Sequence, residues 1–407
     1  MIDRSQRVVS SLQPARIVSA ARTGLGRAAI APRPAPGPPR VVFVSLAEGL
    51  GGAERSMLTL LPLLPERGVE PILACDDGPV REQARARGVA TCRVRWLSVP
   101  AISTPGGPGS RSYGLGRIAG ALGASVANAI LLAALMRRER AALAVSNSFS
   151  AHPFVVLGAR LAGRRAVLHV RDIVNPGPGQ RILDACARGA RAVIAVSGPV
   201  AETVPRGRPR VVTNPVVLRE SIGAPPGRAD GVATVGFVGR LDHGKGVEDL
   251  LAAAARVDAR FLIAGTRLVS PPEYEEGLRA LAAGLPEGRV EFLGRTSGPE
   301  PLLARSDMLV VPSHREPWGR VAAEGMIAGL PVIATDAGGL PEVVTDGADG
   351  LLYDPGDVDQ LVERIQRLVA DPALRARLGA NGRRNADRFS PSTHADAVAS
   401  ILLESAR

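Results

Sequence analysis

VATVGFVGRLDHGKGVEDLLAAAARVDARFLIAGT, residues 232–266, contains two apolar runs, 232–240 and 259–266, joined by a glycine-broken loop and a helical pattern. Neither run alternates apolar with polar, and continuous apolarity is what a strand covered on both faces requires. Similar runs recur downstream as RVEFLGR (289–295), DMLVVPS (307–313), PVIATD (331–336) and GLLYD (350–354). Upstream they are VVFVSL (41–46), PILACDD (71–77), ATCRVRWL (90–97), ALAVSNS (142–148), AVLHVRD (166–172), AVIAVS (192–197) and RVVTNPV (210–216). Strands separated by helical patterns predict parallel sheets. Residues 218–231, LRESIGAPPGRADG, have no periodicity and read as a linker. The expected architecture is therefore α/β, with two doubly wound Rossmann-like domains facing a central cleft. Its parts are a basic, Pro-rich leader at 1–40, a first Rossmann-like domain at 41–217, the linker at 218–231, a second Rossmann-like domain at 232–390 and a helix at 391–407. That last helix is expected to cap the second domain or cross back to the first.

A chain of 407 residues has room for two ordinary domains, and 45% apolar against 22% charged residues supplies two cores. With aromatics at only 3%, a sandwich built on large rings is disfavoured. Cys75, Cys92 and Cys186 are odd in number and widely spaced, so neither a disulfide framework nor a thiolate metal site is encoded. A reducing cytoplasm is expected, and no charged n-region with an apolar h-region opens the chain. The net charge is +11, of which seven arginines against Asp3 place +6 within the first forty residues. Such a leader suits solvent or an anionic membrane surface; it lacks the aromatic residues that nucleic-acid binding favours, so no nucleic-acid partner is expected. Residues 118–136, IAGALGASVANAILLAALM, are free of charge, yet their glycines, alanines, Ser125 and Asn128 favour a buried or surface-amphipathic helix over a membrane span. Among the basic residues, Lys245 is the single lysine.

The chemistry concentrates in PSHREPWGRVAAEGMIAGLPVIATDAGGLPEVVTDGADG, residues 312–350. A strand ends at Pro312, a loop carries Glu316, Gly319 permits a tight entry, and a helix beginning near Arg320 carries Glu324. Amides at that helix start form an anion and hydroxyl site. Paired carboxylates also suit a glycosidase acid and nucleophile. In VGFVGRLDHGKGVEDLL, residues 235–251, Gly239, Gly244 and Lys245 approach a P-loop, but Gly246 stands where a magnesium-binding hydroxyl belongs, so an NTPase is disfavoured. The loop LAEGLGGAERS, 46–56, approaches a dinucleotide fingerprint, but Glu54 occupies the third glycine position. Asp357-Val358-Asp359 spells the DxD of metal-dependent transferases, yet it lies where a helix begins, and charge complementarity at that terminus accounts for it. His243 and His314 read as exposed loop residues, and no metal is implied.

Taken together, residues 41–407 resemble the retaining nucleotide-sugar glycosyltransferases of GT-B fold, glycosyltransferase family 4. Glu316 and Glu324 are separated by the family's seven residues, and Gly329-Leu330-Pro331-Val332 and Gly338-Gly339-Leu340-Pro341-Glu342 follow as the family's small-residue elements do. Pro317-Trp318 stands where Gly-Phe is common. The resemblance implies that Glu316 contacts the donor sugar, Glu324 the ribose, and the stretch between them, Trp318, Gly319 and Arg320, the sugar and phosphates. It places Arg240 and Lys245 on the donor diphosphate, where two fixed cations favour the charge that develops on the leaving group. It also implies that Gly51 and Gly52 close over the phosphates, and that backbone near Leu293 and Gly294 meets the base. At the strand end where the family commonly has a donor-site His, this chain has Arg171, with His169 two residues before it. The implied activity is hexosyl transfer from a nucleoside-diphosphate sugar to a glycolipid or saccharide acceptor of the cell envelope, without metal or other cofactor, in the cytoplasm or peripherally on the inner face of the membrane. The alternatives are a sugar-nucleotide epimerase of the same architecture and a non-enzymatic peripheral membrane protein.

Overall fold

The computed structural model describes residues 37–47, 49–99, 115–218, 231–268 and 270–407. The leader up to residue 36 and linker residues 219–230 lie outside the described residues. Pro38–Arg407 is one compact unit.

Seven strands form the first sheet: β1 (Arg40–Val44), β2 (Glu70–Cys75), β3 (Ala90–Arg93), β4 (Leu143–Ser146), β5 (Arg165–Val170), β6 (Ala192–Ala195) and β7 (Arg210–Val211). Six form the second: β8 (Thr234–Val238), β9 (Arg260–Ala264), β10 (Val290–Gly294), β11 (Met308–Val311), β12 (Val332–Thr335) and β13 (Gly350–Tyr353). Their orders are β3-β2-β1-β4-β5-β6-β7 and β10-β9-β8-β11-β12-β13, with every pairing parallel. Each sheet thus reverses direction beside its first strand, β1 or β8, and a doubly wound sheet binds ligands at the carboxyl end of that switch point. The continuous apolarity of the strands follows from two-sided burial. In β1, Val41 and Phe43 enter one apolar cluster while Val42 and Val44 enter another. In β11, Leu309 and Val311 face one core and Met308 and Val310 the other.

Most strands end one or two residues inside their apolar runs, and two, β3 and β7, stop well short of them. After Arg93 the chain leaves the sheet: the Trp96 ring packs on Phe154 with centroids 5.3 Å apart, and the Asn128 side chain accepts from Leu97 N–H at 2.8 Å and donates to its carbonyl at 2.9 Å. With those backbone groups satisfied by a side chain, no neighbouring strand is needed. β7 ends at Val211 because the following carbonyls are engaged elsewhere, Thr213 with His394 Nδ1 at 2.7 Å and Pro215 with Arg320 at 3.1 Å.

The helix Pro391–Ala406 lies against the first sheet, where Ala395, Val398, Ala399, Ile401 and Leu402 share a cluster with Val41, Phe43, Val145 and Val167. Arg67 pairs with Asp396 at 2.6 Å on its outer side. A further cluster runs between the sheets, joining Val174, Val196 and Val200 to Trp318, Leu340 and Val343. The loops at the carboxyl ends of the two sheets are therefore packed against one another.

Candidate active site

β8 ends at Val238, and the chain turns through Gly239-Arg240 into the helix Val247–Ala254. Asp242 organises this turn: its Oδ1 accepts from Leu268 N–H at 3.1 Å and Ser270 N–H at 2.8 Å, and its Oδ2 lies 3.4 Å from the half-exposed Arg240 guanidinium. Gly246 caps the helix at φ +68°, and a Cβ there would fall 1.9 Å from the Pro312 carbonyl. Only glycine tolerates both the left-handed backbone and that approach, so the Lys245 loop is seated on the end of β11. The consequence is a contact between two distant motifs: Lys245 Nζ donates to Glu316 Oε2 at 2.6 Å.

Glu316 is held from behind by the Gly338-Gly339 loop. Gly339 N–H donates to its carbonyl at 2.8 Å, and a Cβ on Gly338, at φ +57°, would sit 2.0 Å from the same oxygen. Gly319 then caps the helix Arg320–Ala328, with φ +108°. Arg320 Nε donates to Glu324 Oε1 at 2.9 Å, and its NH1 reaches Ser56 Oγ and the Pro215 carbonyl, each at 3.1 Å. Glu324 is 5% exposed; burial raises its pKa, while Arg320 favours the carboxylate. The two glutamates therefore have separate cations, Lys245 for Glu316 and Arg320 for Glu324.

The Trp318 side chain lies away from solvent. Its ring is 2% exposed and packs edge-on against Phe389 at 5.2 Å, so its indole belongs to the core and what it can offer a donor is main chain.

On the first sheet, Gly51 opens the helix Gly52–Leu60 and donates its N–H to Glu54 Oε2 at 3.2 Å. A Cβ on Gly52 would lie 3.7 Å from Arg320 Cδ, so this glycine loop borders the Arg320–Glu324 pair. Burial raises the Glu54 pKa against the opposing effect of Arg171. Arg171 follows β5; its Nε donates to Asn147 Oδ1 at 2.8 Å and its NH1 to Asn214 Oδ1. Burial lowers its pKa to about 10, with Glu54 and Asp172 opposing, so it stays cationic at neutral pH. His169 is a core residue: 2% exposed, kept neutral by burial, its ring stacked 6.2 Å from His394 and its Nδ1 accepting from Arg171 at 3.3 Å. Arg171, not His169, is thus the strand-end residue that bears charge.

Leu293 and Gly294 close β10, where Gly294 accepts from Gly265 N–H at 2.8 Å; β9 separates them from β8. Asp357 caps the helix Val358–Ala370 through Gln360 N–H at 2.9 Å, and Asp359 pairs with Arg256. A cavity of about 450 Å³ opens beside Glu54, lined by Ser45, Asp76, Asp77, Trp96, Asn147 and Ser148 among others. Sequence reasoning missed Ser56, Asn147, Asp172 and Asn214. The available signal was position, since Asn147 and Asp172 stand just beyond the carboxyl ends of β4 and β5.

The family described as glycosyl transferases group 1 matches residues 219–385, and that described as glycosyltransferase family 4 matches residues 50–220. The chain belongs to the family 4 glycosyltransferases of GT-B fold. It is 34% identical over 167 residues to the lipopolysaccharide core biosynthesis glycosyltransferase LpsE of Rhizobium meliloti, a match covering 40% of this chain and 48% of that protein. It is 33% identical over 187 residues to the D-inositol 3-phosphate glycosyltransferase of Corynebacterium kroppenstedtii, covering 42% and 41% respectively. The chain thus spans less than half the length of these curated relatives. Among solved structures, Anabaena HepE in complex with UDP and glucose superposes with a TM-score of 0.74 at 23% identity, covering 90% of this chain and all of that one. The lipopolysaccharide outer core galactosyltransferase WaaB gives 0.69 at 18% identity, with 90% and 99% covered.

Proposed function

We propose that this protein transfers a hexosyl unit from a nucleoside-diphosphate sugar to a hydroxyl of a cell-envelope glycolipid or polysaccharide precursor, with retention of anomeric configuration and without a metal ion, in the cytoplasm or on the inner face of the membrane. The observation that carries this reading is the 2.6 Å contact between Lys245 and Glu316, which sets a phosphate-binding cation against a sugar-binding carboxylate at the switch point of the second sheet. The similarity to LpsE supports an envelope acceptor, and HepE in complex with UDP and glucose supports a nucleotide-sugar donor.

In this reading the bond from the anomeric carbon to the β-phosphate oxygen breaks, the acceptor hydroxyl oxygen forms the new bond to that carbon, its proton passes to a phosphate oxygen of the donor, and negative charge grows on the departing diphosphate. Arg240 and Lys245 stabilise that charge more in the transition state than in the ground state. An ammonium has three donors; Glu316 takes one of Lys245's, which leaves two for phosphate oxygens. Glu316 then orients sugar hydroxyls, Glu324 the ribose, and the Gly51-Gly52 loop brings main-chain amides to the phosphates. Leu293 and Gly294 meet the base. The 450 Å³ cavity beside Glu54 takes the acceptor.

The test is a thermal-shift screen of UDP, GDP and ADP sugars in excess EDTA, followed by transfer assays with the stabilising donor. A ligand at one hundred times its dissociation constant adds about 2.7 kcal/mol of stability. One nucleotide class is expected to raise the melting temperature and to support transfer with EDTA present. Absence of any shift, or turnover abolished by EDTA and restored by magnesium, overturns the reading.

A further inference from the structure

The helix Leu115–Arg138 packs on His152–Leu161, and their inner sides cover one face of the first sheet. Their contact is close: a Cβ on Gly158 would lie 2.8 Å from the Ala129 carbonyl. The outer sides are unlike a solvated surface. Leu122, Val126 and Ile130 recur every four residues along one helix at 60%, 48% and 57% exposure. Leu131 on the same helix and Leu157 and Leu161 on the other are also exposed. Six of the eleven exposed large hydrophobic residues among the described residues therefore fall on this helix pair. Scattered exposed leucines are ordinary, but a concentration of this kind marks a binding surface.

The charge on this surface is mainly positive; Glu139, just past the end of the first helix, is 19% exposed and is taken up by Arg138 at 2.9 Å and Arg40 at 3.2 Å. Arg137, Arg138, Arg160 and Arg165 are exposed at its ends, while residues 115–138 and 149–165 contain no Asp or Glu. We infer that the outer face of this helix pair docks on an anionic lipid bilayer, its apolar ridge entering the interface and its arginines meeting headgroup phosphates. A second copy of the chain is a poorer occupant, because a twofold contact would set arginines against arginines, and the one neighbouring carboxylate, Glu139, is already paired with Arg138 and Arg40 of its own chain. Spanning is also disfavoured, although Ala119–Arg138 is long and apolar enough to cross a membrane. Asn128 is fully buried and bound to Leu97, and Leu132, Met136 and Phe154 are part of the core. The helix lies on the membrane with its inner side still on the sheet.

This inference deepens the reading of the acceptor as an envelope glycolipid. Leu97, which Asn128 grips, lines the 450 Å³ cavity together with Trp96, Ser98 and Val99. Docking through the helix would bring that wall to the bilayer surface, where a lipid-linked acceptor presents its sugar.

The experiment is co-sedimentation of the full chain with phosphatidylcholine vesicles, with and without phosphatidylglycerol, for the unaltered protein, Val126→Glu/Ile130→Glu and Arg138→Glu/Arg160→Glu. All four positions are exposed, and circular dichroism melts verify folding. The unaltered protein is expected to sediment with the anionic vesicles. The apolar double variant should lose roughly tenfold or more of that binding at every salt concentration, and the charge-reversed one chiefly at low salt. Binding retained by Val126→Glu/Ile130→Glu overturns the inference, as does an unaltered protein that ignores both vesicles. Light scattering that shows the variants dissociating a dimer, with vesicle binding unchanged, assigns the face to a second copy instead. None of these readouts uses donor or transfer, so a failure of the catalytic reading is scored separately by the thermal-shift screen.

Discussion

Lys245 and Glu316 are 71 residues apart in the chain and 2.6 Å apart in the structure, with their side chains 21% and 17% exposed. An ion pair at that depth is neither a solvated surface pair nor a fully desolvated one, and it can exchange partners with a ligand. The loop that brings them together depends on Gly246, so the pairing is a property of the backbone course and not of two long side chains finding each other.

Lys245→Arg is expected to impair transfer substantially despite conserving charge, because a planar guanidinium cannot hold Glu316 and two phosphate oxygens from the position of a compact ammonium. Lys245→Ala should lose about 10²–10³-fold in turnover, the scale of removing one transition-state donor. The single lysine also permits a chemical check: mild acylation has Lys245 and the terminal amine as targets, and a nucleoside diphosphate should protect. Full acylation of Lys245 with undiminished transfer removes it from the mechanism.

Glu316→Gln should lower turnover more than it weakens nucleotide binding, whereas Glu324→Gln should weaken nucleotide binding itself. Titration of free nucleoside diphosphate against both variants separates the two roles. Equal affinity losses would show that sugar and ribose are wrongly divided between them.

Arg320→Ala should destabilise the fold by about 3–5 kcal/mol, since it strands Glu324 as a buried carboxylate without its partner. It also removes the links to Ser56 and Pro215, so nucleotide affinity should fall as well. Arg320→Ala combined with Glu324→Gln should recover part of the stability in urea unfolding but none of the affinity. A double variant no more stable than Arg320→Ala would place the cost elsewhere.

Three buried histidines set the acid limb of stability. Burial lowers the pKa of His152 to about 3 and of His394 to about 4, and holds His169 well below its ordinary value. All three stay neutral when folded and titrate near 6.5 when unfolded, so the unfolded chain binds more protons below that pH. Their contribution is full above pH 6.5 and is lost as pH falls from there toward 4, at up to about 1.4 kcal/mol per pH unit for each histidine. Urea unfolding from pH 7.5 to 4.5 should show this fall, and His394→Asn should make it shallower. A profile flat across that range would count against neutral burial.

All thirteen strands of the two sheets were legible in the sequence; for the central ones this is because a parallel strand buried on both faces leaves a continuous apolar run, whereas the edge strands β3, β7 and β10 are partly or wholly exposed and were legible from their place in the alternation of runs and helical patterns. The switch-point loops were legible for the same reason: glycines and charges directly after such runs, at 239–246 and 316–324, must lie at a carboxyl edge. Those signals are local. Which cation meets which carboxylate is decided by loops from strands far apart in sequence, and only the tertiary structure pairs Lys245 with Glu316 and Arg320 with Glu324, Ser56 and Pro215. The same holds for burial. Sequence position sets Trp318 and His169 close to the donor-site motifs without fixing where their rings point, and packing against Phe389 and His394 takes both rings into the core. Conversely, the composition of residues 118–136 favours a buried or surface-amphipathic helix over a membrane span without deciding which side is exposed. It is the seating of Asn128, Leu132 and Met136 on the first sheet that turns Leu122, Val126 and Ile130 outward. Periodicity is written in neighbouring residues, whereas contact and exposure are properties of what the rest of the chain brings alongside.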